Sequence, residues 1–139
     1  MGTVQKSLRI PPETLREIEQ LAAEAGIDFS TAANQLLEEA VRMRRCPGIV
    51  FTSGPSGRRA TLSGTGLDVS EVIAAYKGLG KNINRLDRAY HWLSEAQLRS
   101  ALTYYSLYPR DINARLKRNE AWTSSSLRKR YPALTSPPR

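Results

Sequence analysis

One cysteine and one histidine are all that 139 residues offer toward thiol or metal chemistry. Cys46 by itself cannot close an intrachain disulfide, and a solitary thiol is consistent with a reducing, cytoplasmic setting. His91 has aromatic neighbours but no cluster of further histidines or cysteines, so neither a zinc site nor a histidine-based catalyst is expected. Long apolar runs are missing as well. No stretch approaches the roughly 18 residues of a membrane span. The N-terminus also lacks the basic and then apolar pattern of a secretory signal. The "GTG" at 64–66 lacks the strand-to-helix fingerprint of a dinucleotide site, and no phosphate-loop lysine follows a glycine run. The expectation is a protein that is not an enzyme, with no catalytic residues, no metal, no cofactor and no membrane partner.

Acid is scarce too, but only in part of the chain. Residues 1–45 hold six Lys/Arg against seven Asp/Glu, whereas residues 46–139 hold fifteen against six, which accounts for the net charge of +8. The last nineteen residues include Arg128, Lys129, Arg130 and Arg139 with no acid. Such a surface favours polyanions or an acidic protein.

What is present first is alternation. In "TVQKSLRI" (residues 3–10), Val4, Leu8 and Ile10 share one parity and Gln5, Ser7 and Arg9 the other, the period of a half-buried strand. Lys6 falls on the apolar parity and would have to snorkel to solvent. Pro11-Pro12 ends the extended run. Leu15, Ile18, Leu21 and Ala22 then repeat at helical spacing until Gly26. A second helix follows from about Asp28 or Ser30, with Phe29, Ala33, Leu36, Leu37, Ala40 and Val41 on one face, and "RMRRCPG" closes it. Forty-five residues of strand, helix, turn and helix are too few to bury a core alone. A strand also needs a second backbone to pair with. A second copy would supply both.

The residues "QKSLRIPPETLREIEQLAAEAG" resemble the Arc/MetJ/CopG ribbon-helix-helix repressors over residues 3 to about 45. The resemblance implies an intersubunit two-stranded ribbon whose Gln5, Ser7 and Arg9 face base edges in the major groove of operator DNA. It also implies that backbone amides near Ser30 and Thr31, at the start of the second helix, hold a phosphate. Asp28 departs from the uncharged residue common there, and its carboxylate would weaken that hold.

Farther along, Ile49-Val50-Phe51 and Ala60-Thr61-Leu62 flank "SGPSG", a hairpin signal. Asp68 to Glu71 and Ser94 to Gln97 have the capping-box spacing, and Gly78, Gly80 and Pro109 stop helices. A last helix is expected from about Arg110 to Glu120. From Thr123 the chain is rich in Ser, Pro and cations, and disorder is expected. A hairpin followed by helices suggests a winged-helix-like unit. The helix after Ser94 could show Gln97, Arg99, Ser100 and Thr103 to DNA, but its cations are few for phosphate binding, so dimer packing or holding a partner is the expected role. "GTGLDVSEVIAAYKGLG" and "WLSEAQLRSALTYY" resemble a small family of unknown-function domains that accompany nuclease-like toxins in bacterial toxin–antitoxin operons.

The expected fold is mainly α with short β, in three parts. Residues 1–46 form a DNA-binding and dimerising ribbon-helix-helix, and 47–120 a hairpin plus helices for dimer packing or toxin binding. Residues 121–139 form a basic, disordered tail. The expected function is a homodimeric, cytoplasmic DNA-binding antitoxin that represses its own operon. It would neutralise a PIN-like ribonuclease toxin, with Leu127, Arg128, Lys129, Arg130 and Tyr131 as the toxin contacts. The alternative is a plain transcriptional repressor without a toxin.

Overall fold

The computed structural model describes residues 2–130, with side chains as far as residue 120. Its elements run α1 (Pro12–Ala25), α2 (Phe29–Arg45), β1 (Ile49–Gly54), β2 (Gly57–Leu62), α3 (Val69–Gly78), α4 (Ile83–Ala89), α5 (Glu95–Leu107) and α6 (Pro109–Arg130). The chain divides into two compact units between Val41 and Arg42, inside α2 and five residues before the boundary expected at residue 46.

In the first unit, Pro12 occupies the first turn of α1, where its missing N–H costs nothing. Gly26 ends the helix at φ 69°, a left-handed conformation that glycine adopts without strain. Its N–H and that of Ile27 return to carbonyls of the last turn. Ala22 and Ala32 are buried, but the larger apolar side chains are not: Val4 is 91% exposed, Leu8 65%, Leu37 56% and Val41 52%.

The second unit carries the core. β1 and β2 pair antiparallel from Ile49↔Leu62 to Gly54↔Gly57, on the segments that flank "SGPSG". Ile49, Ala60 and Leu62 point from this hairpin into a cluster with Val69, Val72 and Ile73 of α3, Leu86 of α4, Leu98, Ala101 and Tyr104 of α5, and Ile112 of α6. Burial of each large apolar side chain contributes about 1.5–3 kcal/mol. Ser94 caps α5: its hydroxyl accepts from the Gln97 N–H at 3.1 Å, while the Gln97 side chain accepts from the Ser94 N–H at 2.8 Å. The same spacing at Asp68 does not make a cap. Asp68 turns instead to Arg59 of β2, with Nε and Oδ1 2.9 Å apart. A nearby guanidinium outcompetes a helix-start N–H for a carboxylate.

Two architectural expectations are overturned. Residues 2–11 form no strand, and the only sheet among the described residues is the mid-chain hairpin, so the N-terminal ribbon is absent. Alternation permits a strand but cannot make one. The ladder needs a second backbone, and the parity meant for a core lies in solvent. The winged-helix-like arrangement fails as well, because the hairpin opens the second unit and α5 lies at its centre, touching α3, α6 and both strands. A helix enclosed on those sides has no free recognition face. Gln97 is spent in the cap, and the Ser100 hydroxyl lies 2.9 Å from the carbonyls of both Pro47 and Ala96. Finally, α6 continues to Arg130, ten residues past Glu120, so the backbone is helical through 121–130, where disorder was expected.

Candidate nucleic-acid interface

Gln5, Ser7 and Arg9 are all exposed on the segment leading into α1, and none makes a hydrogen bond or ion pair among the described residues. Their polar groups are therefore available to a ligand. Ser30 and Thr31 are exposed in the first turn of α2, as expected. The anion site implied there is, however, already served. The Thr31 N–H donates to Asp28 Oδ1 at 2.8 Å, and hydrogen bonds from Thr31 hold the Asp28 carboxyl below the usual carboxylate range. A carboxylate thus stands where a phosphate would be held, and it repels one.

In the second unit, several cations are committed to structure. Arg115 is almost wholly buried and donates to the Arg58 carbonyl at 2.7 Å and to Ser56 Oγ at 3.3 Å, clamping the hairpin loop to α6. Arg58 reaches back to Ser53 Oγ at 3.0 Å and the Phe51 carbonyl at 3.3 Å. Arg99 pairs with Glu95 at 2.6 Å, which neutralises the one cation on α5. Exposed cations remain on two faces. Arg110, Lys117 and Arg118 lie on the outer side of α6, spaced by whole helical turns. Lys81, Arg85 and Arg88 lie along α4 and the turn before it. Of the expected toxin contacts, Leu127, Arg128, Lys129 and Arg130 belong by backbone to the end of α6, and Tyr131 lies outside the described residues.

A polar cluster that sequence reasoning missed joins three separated segments. Arg42 Nη1 donates to the Tyr104 hydroxyl at 2.8 Å and meets Asp111 Oδ2 at 3.2 Å. The Tyr104 hydroxyl in turn donates to the same oxygen at 2.5 Å. The Arg42 guanidinium also lies 4.4 Å from the centre of the Tyr108 ring. Burial, and then the Asp111 carboxylate, push the Tyr104 phenol well above its ordinary pKa. No local signal could have found this set, since its members are 62 and 69 residues apart in the chain. Nearby, Tyr105 donates to Asn113 Oδ1 at 2.8 Å, and Lys77 reaches the same oxygen at 3.2 Å. Lys77 lowers the Tyr105 pKa. These are fasteners of the α3–α5–α6 packing and leave no open coordination or nucleophilic geometry.

Cys46 is a buried thiol, and burial raises its pKa, which suits packing better than reactivity. Among the described residues no group of three or more His, Cys, Asp or Glu could hold a metal ion. No described helix is long and apolar enough to cross a membrane. Comparison with protein-family models, with curated proteins and with solved structures finds no match to this chain.

Proposed function

We propose that the chain is a DNA-binding antitoxin: a homodimer through its first unit, repressing its own operon, and neutralising a PIN-like, metal-dependent ribonuclease through its second unit and basic C-terminal segment. The observation that carries this reading is the state of the first unit. Leu21, Leu37 and Val41 are about half exposed, and Val4 and Leu8 more so, on a unit too small to build its own core. A second copy presents the same uncovered surface and satisfies both at once. The arm ahead of α1 then offers Gln5, Ser7 and Arg9, in duplicate, to a major groove. Gln suits adenine and Arg suits guanine, each worth about 1–3 kcal/mol of discrimination.

The toxin-directed half of the reading rests on the acid-poor second unit and on the cations at 128–130. Cations laid into an acidic nuclease centre would compete with its metal.

The test is a mobility-shift titration on the DNA upstream of the chain's own gene against a scrambled duplex, with sedimentation of the same samples. The parent should dimerise and prefer its own DNA. Arg9→Ala should flatten that preference, and Leu37→Lys should give monomers with weaker DNA binding. Removing residues 123–139 should relieve toxin inhibition and leave DNA binding intact. A monomeric parent with equal affinity for both duplexes would end the DNA-binding reading.

A further inference from the structure

The α3–α4 corner of the second unit holds an apolar groove that the function above does not use. Its floor is Ala75, Gly78 and Ala89, and its walls are Leu79, Tyr90 and Trp92. Small residues below and aromatic residues beside it make a slot the width of one side chain. Trp92 is 60% exposed, a large apolar area to leave in water. It is also held in place. The Tyr90 ring meets it edge-on with centroids 5.2 Å apart, and the His91 ring does the same at 5.4 Å, nearly perpendicular. The Leu93 N–H, which donates to the Tyr90 carbonyl at 2.9 Å, closes the turn that carries them. A preset aromatic loses little freedom on binding, which is the character of an interface anchor.

Charge selects the occupant. Arg85 precedes the groove residue Ala89 by one helical turn and so flanks the slot. Lys81 lies in the turn between Leu79 and α4, and Arg88 is next to Ala89. All three are exposed, and none is paired among the described residues. The acid of α4, Asp87, lies on its other side and lines the cleft toward α5 with Ile83, Glu95 and Arg99. The rim is therefore cationic, without a neutralising carboxylate on the groove side.

We infer that this groove docks a segment of a partner protein that carries one apolar anchor side chain flanked by Asp or Glu. The anchor fills the slot against Trp92, and the carboxylates meet Lys81, Arg85 and Arg88. The inference does not depend on the DNA-binding reading, because no residue of the first unit takes part.

The test uses the full chain as bait for a random dodecapeptide library displayed on phage, with elution by salt and counter-selection on Trp92→Ala. Enriched peptides should carry an aliphatic or aromatic residue flanked by acids. As fluorescent synthetic peptides they should bind at least tenfold more weakly to Trp92→Ala and to the triple variant Lys81→Glu, Arg85→Glu, Arg88→Glu. Replacing the anchor by serine in the peptide should have the same effect. Exposure of Trp92 makes its variant a surface change, and an unaltered thermal melt would verify that. Two results would overturn the inference: peptides that bind both variants as well as the parent, or no enrichment of acids around an anchor. A third outcome would reassign the site to single-stranded nucleic acid. It is quenching of Trp92 fluorescence, in a Trp122→Phe background, by a thymidine pentadecamer that the selected peptides cannot displace.

Discussion

Tyr104→Phe isolates the polar fastener of the second unit. The substitution keeps the ring, and with it the edge contact to Phe51 at 6.2 Å and the tilted contact to Tyr108 at 5.0 Å. It deletes one oxygen that accepts from Arg42 and donates to Asp111. Hydrogen bonds to charged groups contribute about 1.5–3 kcal/mol each. The two do not add here, because Arg42 and Asp111 still face each other at 3.2 Å and the Asp111 side chain is about three-tenths exposed, so water replaces part of what is lost. A net cost of about 2 kcal/mol follows. In urea, with a slope of about 1–3 kcal/mol per molar for a small protein, the midpoint should fall by roughly 1 M. Fluorescence and far-ultraviolet dichroism should report the same shift. A cycle with Asp111→Asn should show strong coupling, since the two changes remove the same bond. The phenol adds a pH signature. Its folded pKa is raised, so its stabilisation is whole below the unfolded value of about 10 and is lost as pH rises beyond that toward the folded one. Tyr104→Phe should lack that alkaline loss. A variant within about 0.5 kcal/mol of the parent, uncoupled to Asp111, would refute the reasoning.

Three further outcomes are expected. Ser94→Ala removes half of the capping box of α5 and should cost about 1 kcal/mol, read as a lower thermal midpoint, whereas Ser94→Asp should retain most of the stability. Gly48 sits at φ 94°, where a Cβ would stand 2.8 Å from Ser100 Oγ. Gly48→Ala should therefore destabilise by about 1–3 kcal/mol, and adding Ser100→Ala should recover the steric part but not the backbone strain. Asp28→Ala should lower the midpoint at neutral pH. Because the folded Asp28 pKa is depressed, that contribution is present above the unfolded value of about 3.9 and disappears as pH falls through the folded one. Melts of parent and variant should accordingly converge in strong acid. Asp28→Ser, which keeps a cap and removes the charge, should raise affinity for DNA if Ser30 and Thr31 lie against a phosphate.

Particular elements show where one-dimensional reading succeeds. The hairpin was legible because the alternating runs at 49–51 and 60–62 are joined by residues suited to a turn, and register follows from the turn. The end of α1 at Gly26 and the start of α5 at Ser94 were legible because their partners lie within a few residues. The strand at residues 3–10 was misread for the complementary reason. Its periodicity was present, but the backbone that would pair with it is not in this chain's fold. Asp68 was misread because Arg59, nine residues earlier, competes for its carboxylate. The candidate interface divides in the same way. The exposure of Gln5, Ser7 and Arg9 followed from their parity, while the carboxylate at the start of α2 was visible as Asp28 before its bond to Thr31 was.

By itself, the order of residues determined where helices start and stop, the hairpin register, and the concentration of positive charge after residue 45, since each depends on near neighbours or on simple counting. Tertiary structure alone decided that α5 is enclosed, that Arg42, Tyr104 and Asp111 share two oxygens, and that Trp92 stands beside an empty slot. Those outcomes depend on which surfaces meet after the chain has closed loops of tens of residues, and no local pattern encodes such a meeting.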